Sequence, residues 1–148
     1  MFGLIRGREV ARREVLAALP FDNRLVTIDV SGSALKAAIE NGLSRLPAPS
    51  GRFSQVAGLK IEADPSRPAD SRVLSIKVGD TPLDANKTYS VATIDFMARG
   101  GDDYISFRDA KPILPPADSP TIAYEVIDYI KSIGTIRTAV DGRIVLRS

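Results

Sequence analysis

Leu25-Val26-Thr27-Ile28-Asp29-Val30-Ser31-Gly32-Ser33-Ala34-Leu35 changes its periodicity half-way along, and the fold is read from that change. The first six residues are rich in β-branched side chains and predict a strand. Ser31-Gly32-Ser33 then opens a helix with Ser33 as its N-cap. Leu35, Ala38, Ile39 and Leu43 recur at helical spacing along one face, and the helix ends near Arg45. Before this unit, Val15, Leu16 and Leu19 predict a helix over 12–19 that Pro20 ends. After it, Pro47-Ala48-Pro49-Ser50-Gly51 is a loop, and 55–63 predicts a strand burying Val56, Leu59 and Ile61. A third strand covers 73–78 with residues 74, 76 and 78 on one face; Gly79-Asp80 turns it back, and Tyr89–Thr93 is a fourth. A short helix over 95–99 stops at Gly100-Gly101. Beyond a Pro-rich connection, Thr121 caps a helix to Ile133 with Tyr124, Ile127 and Ile130 at its spacing; Gly134 ends it, and Asp141-Gly142 turns into a last strand at 144–146. Mixed helices and strands, several joined by hairpin signals, give an α+β class: a single domain over 1–148 with a mixed β-sheet and about three helices.

Bulk properties exclude more than they assign. With 20 basic and 18 acidic residues in 148, and no basic block, there is no electrostatic footprint for a nucleic-acid polymer. No run reaches the ~18 apolar residues of a membrane span, and Met1-Phe2-Gly3-Leu4-Ile5-Arg6 is not built like a signal peptide. The chain contains no His and no Cys. Thiolate chemistry, the usual zinc ligands and the usual partner of a serine nucleophile are therefore missing. Asp102, Asp103 and Asp109 are loop acids able to hold Mg²⁺ or Ca²⁺, but neighbouring loop acids are ordinarily just solvated.

Two glycine-rich loops carry an aromatic ring each. Gly51-Arg52-Phe53-Ser54-Gln55-Val56-Ala57-Gly58 holds Phe53, and Ala98-Arg99-Gly100-Gly101-Asp102-Asp103-Tyr104 holds Tyr104. Such flanks predict surface rings, with the Tyr104 hydroxyl left wet, able to sandwich a flat ligand such as a nucleobase. The alternatives are a ring folded back over the core and a plain solvated turn. Asp102 and Asp103 are placed either to bond ribose hydroxyls or to cap the turn. The Gly-Gly-Asp-Asp-Tyr run also resembles the Gly-Gly-Asp-Glu-Phe signature of diguanylate cyclases. It lacks their upstream acidic strand, reading Val56-Ala57-Gly58-Leu59-Lys60-Ile61-Glu62 there, and phosphoryl transfer of that kind needs a held cation.

Taken in order, six segments resemble the C-terminal, substrate-specificity domain of the 5'-nucleotidase family, which includes UDP-sugar hydrolases and 2',3'-cyclic phosphodiesterases. They are Gly3-Leu4-Ile5-Arg6, the Val15–Asn23 run, Val30–Lys36, Gly51–Gly58, Tyr89–Tyr104 and Asp141-Gly142-Arg143-Ile144. The resemblance implies that Phe53 and Tyr104 clamp a base, that Arg6 contacts a phosphate through its bidentate fork and that Asp109 bonds the ribose. Gly58, Gly100 and Gly101 are the loop glycines beside that site, with Gln55 close by. Met1 falls where the family has an Asn, and Asp103 where it has a Gly. The resemblance further implies hydrolysis in a separate N-terminal metallophosphoesterase domain, where two divalent metal ions are held by residues that this chain does not supply. The chain alone is thus expected to be inactive on AMP. The competing expectation is a stand-alone nucleoside-binding module or a decayed fragment. The parent family is periplasmic or extracellular.

Overall fold

The computed structural model describes residues 9–113, 117 and 120–147. In chain order the elements are α1 (Arg12–Ala18), β1 (Leu25–Ser31), α2 (Gly32–Leu43), β2 (Leu59–Ala63), β3 (Val73–Val78), β4 (Thr81–Pro82), β5 (Thr88–Ile94), α3 (Asp95–Ala98), α4 (Ile122–Ile133) and β6 (Ile144–Leu146). Single 3-10 turns cover Gly101–Asp103 and Ile105–Phe107. The class is α+β, with four helices among the described residues once the one-turn α3 is included. Its strands form two sheets rather than one: an antiparallel β1–β5 pair, and a mixed β4-β3-β2-β6 sheet in which β6 runs parallel to β2.

Helix α2 is the shared wall between these sheets. Leu35 and Ala38 pack with Val26, Ile28 and Val30 of β1, and with Ala98, Tyr104 and Phe107. Ile39 and Leu43 pack with Ile61 and Ala63 of β2 and Ile76 of β3. Residues four apart on a helix share a face, so one continuous apolar stripe serves two cores. Burying an Ile or Leu side chain is worth roughly 1.5–3 kcal/mol, and most of those residues are nearly inaccessible.

The start of α2 corrects the expected cap. Ser31, not Ser33, accepts the Ala34 N–H on its side-chain oxygen, at 3.2 Å. The Ser33 N–H is already donated to the Ala85 carbonyl, and Gly32 N–H to that of Lys87. The connection after β4 thus satisfies the first orphan donors of the helix. It approaches so closely that a Cβ on Gly32 would overlap the Asp84 carbonyl. Glu40, buried on α2, accepts the Arg72 and Val73 N–H groups at 2.9 and 3.0 Å and fastens α2 to β3.

Three other expectations are revised. Residues 55–58 are loop, so the strand begins at Leu59; Gly58 has φ 73, outside the strand region. On β3 the pairing skips from Glu62↔Ser75 to Ala63↔Val73, making Leu74 the extra residue of a bulge and leaving it 40% exposed. Thr121 occupies the N-cap position of α4, but its hydroxyl bonds nothing among the described residues, and the helix buries Ala123 and Ile127 while Tyr124 faces outward. The start of α4 is fixed by backbone instead: Ile122 N–H donates to Asn23 O, and Leu25 N–H to Pro120 O.

Candidate functional site

The two glycine-rich loops meet across the end of α2, and a cleft of about 430 Å³ opens beside them. Phe53 N–H turns back to Ser50 O, at 3.2 Å, and the half-buried ring leans on the core between α2 and β2 while also lining the cleft. On the other loop, Gly100, Asp102 and Asp103 all have positive φ, of 88, 51 and 63. That conformation is natural for Gly and tolerated by Asp.

Tyr104 differs from expectation. It is 2% exposed, its ring stacked on Phe107 with centroids 5.9 Å apart. Its hydroxyl donates to the Arg52 carbonyl at 2.6 Å and is bonded to the Ser54 hydroxyl. Those partners keep the buried polar tip satisfied, so the ring sits in the core with no hydroxyl left unbonded. Burial pushes the phenol pKa above its usual range, opposed by the Ser54 bond. Glycine at position 42 makes room: a Cβ there would lie 2.8 Å from the Ser54 hydroxyl and 3.0 Å from that of Tyr104. Tyr104 therefore forms part of the cleft wall but offers no free face for stacking.

The exposed ring at this place is Phe96, in α3, which the loop motifs do not single out. It is 44% exposed and lines the same cleft as Phe53. Its outer edge lies on the Gly-Gly turn, where a Cβ on Gly101 would come within 2.5 Å of the ring. Its one signal in the sequence is the brevity of 95–98: a single turn that buries Ala98 faces the adjacent positions elsewhere. Asp102 and Gln55 add a carboxylate and an amide to the cleft lining. Asp109 is exposed, in the turn after Phe107, and does not line the cleft. Gly58 lies away from it too, with its carbonyl accepting the Gly79 N–H at the β2–β3 end. Gly100 packs near the Arg108 side chain. Arg6 lies outside the described residues.

A half-buried ring, a more exposed one, an amide and a carboxylate around one slot suit a flat, polar-edged ligand. The family model for the 5'-nucleotidase C-terminal domain matches residues 3–109. The chain belongs to this family. It is 37% identical to Protein 5NUC of Lutzomyia longipalpis over 93% of its own length and 25% of that protein's. It is 34% identical to a snake venom 5'-nucleotidase of Crotalus adamanteus, over 92% and 24%. Among solved structures, a 5'-nucleotidase precursor from Thermus thermophilus superposes with TM-score 0.86 at 37% identity, covering 93% of this chain and 28% of that one. The chain thus spans about a quarter of the length of these relatives. The diguanylate-cyclase resemblance of the Gly-Gly-Asp run falls away with that membership.

Within this 5'-nucleotidase domain, the residues present do not fit a dimetal centre. The sequence has no His or Cys, and among the described residues no three metal-ligating side chains cluster. Nor, among the described residues, is any helix long and apolar enough to cross a membrane.

Proposed function

We propose that this domain holds the nucleoside part of a nucleotide substrate, with the base between Phe53 and Phe96. Gln55 meets the base edge and the Asp102 carboxylate accepts from ribose hydroxyls. Arg6 keeps the phosphate role that the family resemblance implies. Tyr104 moves from the clamp to its foundation: its hydroxyl ties down the loop that carries Phe53. The observation that carries this reading is that two phenylalanine rings, half-buried Phe53 from its loop and 44%-exposed Phe96 from α3, line one cleft. Stacking on such rings is worth about 1–3 kcal/mol per base and tolerates every base.

Hydrolysis, in this reading, belongs to a dimetal domain outside these 148 residues, and no step of it is carried by the side chains described. The names of the relatives, among them a snake venom 5'-nucleotidase and a 5'-nucleotidase precursor, support a phosphoester substrate and an extracytoplasmic setting.

Calorimetric titration of the purified chain with adenosine and AMP tests the proposal. Binding in the high micromolar to millimolar range is expected, weakened about tenfold by Phe96→Ala, in line with one lost stacking contact. Undiminished binding by Phe96→Ala and Phe53→Ala would refute the clamp. Release of phosphate from AMP by the pure chain with divalent metal would refute the division of labour.

A further inference from the structure

The segment Gly101–Asp103 holds two consecutive non-glycine residues in the left-handed region. Such backbone persists where its surroundings over-determine it, and here the surroundings can be named. Asn41, on the last turn of α2, donates its Nδ2 to the Asp102 carbonyl at 2.9 Å. The same amide accepts from Arg52 Nη1 at 3.4 Å. Arg52 Nη2 pairs with the Asp103 carboxylate at 2.8 Å. Arg52 is well sequestered, its side chain 17% exposed, whereas that of Asp103 is 64% exposed. The Arg52 carbonyl receives the Tyr104 hydroxyl. One arginine is therefore bound through both its side chain and its backbone to the loop opposite, immediately before Phe53.

We infer that Asn41, Arg52 and Asp103 form a latch across the two loops and position the walls of the cleft for its ligand. These are positioning residues: the inference assigns them no contact with substrate. The chemistry suits the task. A guanidinium presents its donors in a fixed plane, so one group can meet the Asn41 oxygen and the Asp103 carboxylate at once. Asp103 holds φ 63, which Asp tolerates and which bulkier residues resist. With Asp102 and Phe96 on one side of the latch and Phe53 on the other, releasing it loosens both sides of the slot. Preorganisation of this kind raises affinity by removing the ordering cost from the binding step. Because one partner is exposed, the ion pair is screened by salt, so the latch gives the site an ionic-strength dependence that an uncharged ligand such as adenosine would not bring by itself.

This inference deepens the nucleoside-binding reading and rests on it for the ligand, but the latch is measurable without any ligand. Hydrogen exchange on the ligand-free chain compares wild type with Arg52→Ala, Asp103→Gly, the double variant and Arg52→Lys. Glycine is chosen at 103 because it accepts the positive φ, so that loss of the carboxylate is not confounded by backbone strain. Faster exchange of the amides of 101–104 is expected in both single variants, with the double variant no faster than either, as for residues acting as one unit. Arg52→Lys, which retains the charge but not the fork, is expected to fall between wild type and Arg52→Ala. Adenosine titrated at low and at high salt should bind Asp103→Gly about threefold to tenfold more weakly at low salt. The salt dependence of wild type should vanish in that variant. Unchanged exchange at 101–104 in both single variants, or an additive double variant, would overturn the latch. Altered exchange together with no adenosine binding by wild type would uphold the latch and sink the nucleoside reading instead.

Discussion

Phe53 and Tyr104 sit in loops of similar composition and end in opposite environments. Both are flanked by glycines, and the two loops are bonded to each other beside both rings. Tyr104 is buried against Phe107, and Phe53 is half-buried at the edge of the cleft. Glycine explains how each loop turns; it does not decide where the ring goes. What decides is the fate of the tip: the phenol donates to the Arg52 carbonyl and is bonded to the Ser54 hydroxyl, so it can enter the core already satisfied. Phe53 has no polar tip to anchor and remains where loop, core and cleft meet.

Substitutions should widen that contrast most at Tyr104. Tyr104→Ala removes a buried aromatic and is expected to cost about 3–5 kcal/mol, read as a lower urea midpoint. Phe53→Ala, at a half-buried position, should cost clearly less in the same experiment while weakening adenosine binding about tenfold, as one lost stacking contact does. Equal stability losses would erase the distinction between core ring and site ring. Gly101→Ala comes next: a methyl placed 2.5 Å from the Phe96 ring makes that exposed ring swing aside, at a stability cost below the roughly 1–3 kcal/mol of core overpacking, and should weaken adenosine binding through Phe96. A variant of wild-type stability and affinity would show that Phe96 does not rest on that turn.

The smallest effects are those of pH, and their signs differ. The Tyr104 phenol has a raised pKa from burial, so its contribution is complete below the unfolded value of about 10 and is lost as pH climbs through the folded one. Asp141 is depressed to about 2 by its bonds from Arg143, so its contribution is present above the unfolded value of 3.8 and is lost as pH falls toward 2. Thermal melts across both windows check this. Tyr104→Phe should flatten the alkaline limb alone, and Asp141→Asn the acid limb alone.

The sequence is most legible where local pattern and tertiary role agree. The β-branched run at 25–30 and the spacing of Leu35, Ala38, Ile39 and Leu43 predict β1 and α2 almost as they stand. Legibility fails where a distant backbone group intervenes. Ser33 loses the cap because the Lys87 and Ala85 carbonyls take the Gly32 and Ser33 N–H groups, so the helix starts at Gly32 and Ser31 caps it. Leu74 leaves the buried face because pairing with Ala63 introduces a bulge. Among site residues, Phe53 is legible from its loop. Tyr104 is not, because its hydroxyl partners, Arg52 and Ser54, lie some fifty residues earlier. Phe96 is hidden because nothing local in Asp95-Phe96-Met97-Ala98 says that its ring stays exposed while Met97, which lines the same cleft, also packs on the core.

Strand β1 pairs with β5 along its whole length, from Leu25↔Ile94 to Ser31↔Thr88, and the β2–β3 hairpin lies entirely between them in the chain. The order of assembly follows. The hairpin joins near neighbours and can form early, whereas zipping β1 to β5 must close a loop containing the hairpin and α2. The cleft, whose walls come from the middle of that loop at 51–57 and from β5 and the residues just beyond it, is completed only with this late closure. Refolding watched at Phe53 and Phe96 should therefore lag behind refolding watched at β2 and β3.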